Sequence, residues 1–190
     1  MSFWQRSDTT AVRLNGLVVK GLLCPLTAAR EWIVPSGEVE LRPPPGYVVS
    51  FVYFHDRGFA TPAHAFFRGL LHHYQVELQH LNPNRIQNIS AFITLCEGFL
   101  GVPPVFELWR YFFTVSLTPT KVSSAMVPAP VGCAGVHLRS GGDRRSARYI
   151  DMHLRKSNKG WHAQWFYIKD DARAPLPHFI GRVVTDAPRT

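Results

Sequence analysis

The chain has 190 residues, 46% hydrophobic and 18% charged, with 21 basic against 13 acidic residues for a formal charge of +8. That is long and apolar enough for one folded domain with a sizeable core, and it excludes an intrinsically disordered polymer. No apolar run reaches the roughly 18 residues of a membrane-spanning helix, and Met1-Ser2-Phe3-Trp4-Gln5-Arg6 lacks the apolar core of a signal peptide.

The three cysteines, Cys24, Cys96 and Cys133, are odd in number and widely spaced. They predict buried free thiols in an intracellular, reducing setting, nucleus or cytoplasm, rather than a disulfide framework. The positive charge would draw the chain toward DNA, RNA or another polyanion. A basic surface without such a partner explains it equally well.

In chain order, Thr10 to Leu23 predicts a first helix, with Leu14, Leu17, Val18 and Leu22 inward and Pro25 closing it. Trp32 to Pro35 is a short extended piece, and Ser36 to Pro45 a polar, proline-rich connector. Tyr47 to Phe54 is apolar on both faces and rich in β-branched and aromatic residues, which predicts a central strand covered on both sides. His55-Asp56-Arg57-Gly58 ends it with turn chemistry.

Three helices should follow, each opened by proline. Thr61-Pro62 reads as an N-cap with proline at the first helical position, ahead of Ala63, Phe66, Phe67, Leu70, Leu71 and Tyr74. Asn82-Pro83 repeats the device. Ile86, Ile89, Ile93, Cys96 and Leu100 then step by three and four, Phe92 and Phe99 widen that face, and Gly101 ends the helix. Pro104 opens the third, with Phe106, Trp109 and Phe113 inward.

Val115 and Leu117 alternate with Thr114 and Ser116, a strand; Pro119 to Pro130 is a loop. Strands are expected over Val131 to Arg139, Tyr149 to Leu154 and Trp161 to Lys169, joined by turns at Ser140 to Asp143 and Ser157 to Gly160. Beyond Pro175 the chain should run extended, with Phe179 and Ile180 docked. The fold class is therefore α+β: N-terminal helices and a buried strand forming a helical core (about 10–113), then an antiparallel β-meander (about 114–170) and a tail (171–190), in one domain.

Long composite motifs run through the chain: Arg57-Gly58-Phe59-Ala60 with Pro62, His80-Leu81-Asn82-Pro83-Asn84, Leu95-Cys96-Glu97-Gly98-Phe99-Leu100-Gly101, and Leu108-Trp109-Arg110-Tyr111-Phe112-Phe113. Gly132-Cys133-Ala134-Gly135, Ser157 to Trp161 and Trp165-Phe166-Tyr167 extend them. On these residues the stretch from about Leu14 to Val184 resembles the plant "putative gypsy type transposon" domain, also catalogued as a gypsy-type transposase domain. Ala60 stands where that family's signature has a second glycine. The resemblance implies retrotransposon origin, and a truncated copy or fragment of a longer element-encoded chain. In function it implies an assembly or interaction role more than an activity.

Transposase or integrase chemistry needs acids gathered around two metal ions. Glu97, Asp151, Asp170 and Asp171 show no converging spacing. Tyr149-Ile150-Asp151-Met152 lacks the second aspartate of a polymerase hairpin, and no Asp-Thr-Gly or Asp-Ser-Gly triplet marks an aspartic protease. His64, His72, His73 and His80 do not share a helix face, so no metal site is expected, and no cofactor or small-molecule substrate either. Cys96 reads as core. Asn88-Ile89-Ser90 is a glycosylation triplet on a helix and is discounted.

The sharpest candidate is a nucleic-acid surface made of Arg139, Arg144, Arg145, Arg148, Arg155, Lys156 and Lys159, with Trp161 and Trp165 to stack bases. The plainer reading is that the arginines solvate two turns while the tryptophans pack inside. Trp4, Trp32 and Phe59 look poorly placed for the core and would suit a self-association surface. The expected function is thus a non-catalytic assembly or interaction domain, with sequence-nonspecific nucleic-acid binding as the alternative and active transposition behind both. No membrane partner is expected.

Overall fold

The structure, a computed structural model, describes residues 5–26, 31–38, 41–117, 121–122, 125–126, 131–139 and 159–178. Helix α1 spans Ala11–Val19, capped by the Thr10 hydroxyl, which accepts from the Arg13 N–H. Strands β1 (Trp32–Ile33) and β2 (Tyr47–Phe51) precede a one-turn helix α2 (Val52–His55), then α3 (Ala65–Tyr74) and α4 (Pro83–Thr94). A π turn over Leu95–Phe99 continues α4, and α5 (Phe106–Phe112) runs straight into β3 (Phe113–Leu117). Strands β4 (Lys121–Val122), β5 (Ala125–Met126), β6 (Ala134–Leu138) and β7 (Trp165–Lys169) complete the elements. The fold is α+β, as the sequence predicts.

The main sheet has the order β1-β7-β2, antiparallel throughout, with Tyr47 opposite Lys169 and Phe51 opposite Trp165. The expected central strand is therefore an edge. It is also shorter than its apolar run, because Val52–His55 form a helical turn, although the Val52 N–H still bonds to Gln164 O in the register of the ladder. The central place belongs to β7, whose Trp165 to Ile168 are all buried. Its alternating side chains divide the core. Phe166 and Ile168 join Leu14, Leu17, Leu23, Trp32 and Val52 under α1, while Trp165 and Tyr167 join the larger cluster built by α3, α4 and α5. Trp32 and Phe59, judged poor core candidates from sequence, are both buried.

The remaining strands pair as β3 with β6 and β4 with β5, again antiparallel. The last replaces part of the loop expected over Pro119 to Pro130. The expected strand Tyr149 to Leu154, the turn before it, Ser157 and Asn158 of the turn after it, and the docked Phe179 and Ile180 lie outside the described residues; Lys159 and Gly160 form a turn, as expected. Among the described residues no helix is long and apolar enough to cross a membrane.

Helix starts differ from expectation at two places: α5 begins at Phe106, with Val105 as N-cap, rather than at Pro104, and α3 also starts late. Helix α3 begins at Ala65, not Pro62; the Thr61-Pro62 peptide is cis, and His64 is the N-cap, its Nδ1 accepting from the Phe66 N–H. Helix α4 starts as expected, with the Asn82 side chain accepting from Arg85 N–H and Pro83 at the first helical position. Ile86, Ile89, Phe92 and Cys96 are fully buried and Ile93 packs against the core from a half-buried position. Asn88, of the glycosylation triplet, is buried too.

Gly58 holds a positive φ of 92°, and a Cβ there would stand 2.9 Å from Ser90 Cβ on α4. Gly58→Ala is expected to cost roughly 1–3 kcal/mol. Gly69→Ala, in α3 with no atom within 4 Å of an added Cβ, should instead stabilise by about 0.5–1 kcal/mol. Urea denaturation of both variants checks the pair. An unshifted Gly58→Ala midpoint would mean that the turn does not press on α4.

Candidate interaction surfaces

The motif residues separate into those the fold consumes and those it leaves outside. Arg57 is buried and donates from Nη1 to Gln87 Oε1 at 3.1 Å, tying the turn after α2 to α4. His80 Nδ1 accepts from the Glu77 N–H at 3.0 Å, in a reciprocal capping box around Leu78–His80, and Leu81 is fully buried. The buried Glu77 carboxylate also accepts from Gln79 Nε2 at 2.6 Å and lies 3.4 Å from His178 Nδ1. Leu78 to Pro83 are thus scaffold. So is Trp109, stacked on Phe113.

Two segments are not consumed. The π turn adds one residue to the helical repeat, so everything beyond it is rotated by roughly one residue step, about 100°. Phe99 and Leu100, placed inward by an uninterrupted α period, instead face solvent and are 79% and 57% exposed. The Leu100 N–H closes on Leu95 O, the Val102 N–H on Cys96 O, and Gly101 takes φ 67° between them. The turn is well bonded, and Phe99, Leu100, Val102 and Val105 form an outward apolar ridge along it. At its foot His64 Nε2 lies 3.0 Å from Glu97 Oε1. Since Nδ1 accepts from Phe66 N–H, it is Nε2 that donates to Glu97.

The second segment is Arg110-Tyr111 on the outer face of α5, where Tyr111 is 64% exposed. These residues line a shallow groove of about 490 Å³ with Phe106, Glu107 and Arg139. Another depression, about 580 Å³, is lined by Cys24, Pro25, Glu31, Thr61, Pro62 and Lys169 to Ala172. There the Asp170 carboxylate accepts from the Asp171 and Leu176 N–H groups, and burial raises its pKa. Asp170 holds the turn after β7.

Of the sequence-derived nucleic-acid residues, Arg139, Lys159, Trp161 and Trp165 are among the described residues. Arg144, Arg145, Arg148, Arg155 and Lys156 lie outside the described residues. Lys159 and Arg139 are exposed. Trp161 and Trp165 are only 5% and 0% exposed, so neither can stack a base. Trp161 packs edge-on to Phe51 at 4.7 Å, and Trp165 Nε1 donates to Gln5 O at 2.8 Å. The strand expected over Trp161 to Lys169 starts only at Trp165, as the hidden central strand of the sheet, and Trp161 lies in a 3-10 turn, Trp161–Ala163, ahead of it.

Of the thiols, Cys96 is buried, with its pKa raised by desolvation and then by Glu97, whereas Cys24, expected to be buried, is exposed. Among the described residues no three His, Cys, Asp or Glu side chains lie close enough to hold a metal ion. One buried pair has the look of catalytic chemistry. Ser50 Oγ lies 3.0 Å from His55 Nε2, while His55 Nδ1 lies 3.3 Å from Leu22 O. Because the carbonyl can only accept, Nδ1 carries the proton and Nε2 accepts from the hydroxyl. Both residues are sealed from solvent, so no substrate reaches the pair.

Set beside known proteins, residues 48–117 match the family model described as "Putative gypsy type transposon". The matched span runs from β2 through β3 and contains both unconsumed segments. No curated protein and no solved structure matches the chain.

Proposed function

We propose that the chain is a non-catalytic, retrotransposon-derived domain of the gypsy type whose role is assembly, through self-association on the ridge of Phe99, Leu100, Val102 and Val105. The observation that carries this reading is the outward turn of Phe99 and Leu100 in a hydrogen-bonded segment. Large apolar side chains held rigidly in water mark a contact surface. A two-fold contact places the same patch on both partners, and an apolar ridge is complementary to itself where a chain of charge +8 elsewhere repels. Burying each large side chain contributes about 1.5–3 kcal/mol, offset by the lost freedom of association, ~4–15 kcal/mol. The result is a weak, concentration-dependent dimer. The non-catalytic part of the reading rests on the acids: among the described residues no three His, Cys, Asp or Glu side chains gather as two-metal transposition chemistry needs.

Size-exclusion chromatography with light scattering tests the assembly. The wild-type mass should climb with loading concentration, and the double variant Phe99→Ser/Leu100→Ser should stay at 21.5 kDa with an unchanged melting temperature. A wild-type chain that remains monomeric up to its solubility limit defeats the reading.

A further inference from the structure

We propose that the groove between α5 and the end of β6 binds single-stranded nucleic acid without regard to base sequence, with Arg110 and Arg139 on phosphates and the Tyr111 ring against a base. This goes beyond the assembly reading and uses a different surface.

Both cations are held in place. Arg139 donates from its backbone N–H to Phe112 O at 2.8 Å and from Nε to Phe113 O at 3.2 Å, which clamps the guanidinium to the end of α5 and leaves its Nη groups to the groove. Arg110 Cζ lies 5.9 Å from the centre of the Phe106 ring that lines the groove. Among the described residues neither guanidinium forms an ion pair. Arg110 and Arg139 line the same groove.

Guanidiniums without carboxylate partners are phosphate ligands in waiting. Glu107 cancels one of the two charges, so the groove alone binds a small anion weakly. A polyanion adds the long-range attraction of the +8 chain. The exposed Tyr111 ring selects a polyanion with open π faces. A duplex hides those faces in its stack, and the groove has no projecting helix to enter a major groove.

Fluorescence anisotropy of the full chain with labelled oligothymidylate of about 12 nucleotides, between roughly 50 and 200 mM salt, tests this. Wild type should bind the single strand more tightly than a duplex of equal length. The slope of log affinity against log salt should shrink by about 1.4 in Arg110→Ala/Arg139→Ala, at about 0.7 per phosphate contact. Tyr111→Ala should weaken binding at least about fivefold, and Tyr111→Trp should restore it. Arg110→Glu, on an exposed helix position, serves if the double variant melts early. The proposal is overturned if wild type does not bind, if the arginine variants keep affinity and slope, if Tyr111→Ala is without effect, or if polyglutamate displaces the oligonucleotide at equal charge concentration.

Discussion

Replacing Trp109 by alanine should lower stability by about 3–5 kcal/mol, the largest effect expected of any single substitution in the helical core. Its indole is fully buried, stacked on Phe113 at 4.3 Å and edge-on to Phe92 at 5.2 Å and Phe66 at 6.0 Å. Those rings come from α3, α4 and the first residue of β3, so Trp109 ties two helices that are distant in sequence to the start of the strand that follows its own helix. Removing it leaves a cavity that three rigid rings cannot close, and domains of this kind are stable by only ~5–15 kcal/mol. Chemical denaturation followed by circular dichroism measures the loss. Trp109→Phe, which keeps one ring, should fall between wild type and alanine. A midpoint unmoved by the alanine change would place the indole outside the core and reverse the orientation of α5.

Acid should destabilise the protein through His55. Its imidazole is buried against Phe59 and Phe166, and that burial lowers its pKa from 6.5 to about 4, outweighing the backbone hydrogen bonds that favour the charged form. Above pH 6.5 the ring is neutral in folded and unfolded chains alike, and the fold keeps its full stability. Between 6.5 and about 4 only the unfolded chain takes up the proton, so stability falls with pH. Below about 4 the folded ring is charged as well and the loss levels off. At about 1.36 kcal/mol per pH unit the whole window amounts to roughly 3 kcal/mol. His55→Gln can keep a bond to Ser50 without titrating. The difference in unfolding free energy between wild type and variant should therefore shift by about that amount from pH 7 to pH 4. Parallel pH profiles for the two proteins would show that the ring is hydrated or already charged in the fold.

The helix α4 and its cap are legible in residues 82–96 because their causes are local: a side chain three positions from the N–H it caps, a proline where no hydrogen bond is needed, and an unbroken three-four apolar step. The same holds for the core role of Trp109, for Cys96 and for the α+β class. Residue patterns mislead where a partner distant in sequence decides. Tyr47 to Phe54 carries enough apolar residues for a longer strand, yet the Val52 N–H makes the last bond in the register of the ladder, to Gln164 O, and the chain then closes a helical turn through Asp56 N–H to Val52 O. Trp161 and Trp165 look like a stacking platform beside a basic turn, since aromatic residues in a strand read alike whether the strand is central or at an edge. Packing on Phe51 and Phe54 hides Trp161, and the insertion of β7 between β1 and β2 hides Trp165. Trp32 is buried for the same reason, being paired with Ile168 across that strand.

The two candidate surfaces divide in the same way. Local chemistry determines that Arg110 and Tyr111 stand on the outer face of α5, since Trp109 and Phe113 occupy the inner one. Tertiary structure alone brings Arg139, twenty-six residues beyond Phe113, to the same groove, through the antiparallel pairing of β3 with β6. The ridge is a further step from sequence. Phe99 and Leu100 continue the apolar period of α4, and one i→i+5 closure at Leu100 rotates them into water. That closure is a choice of hydrogen-bond partner, i→i+5 in place of i→i+4, that no residue spacing within the helix records.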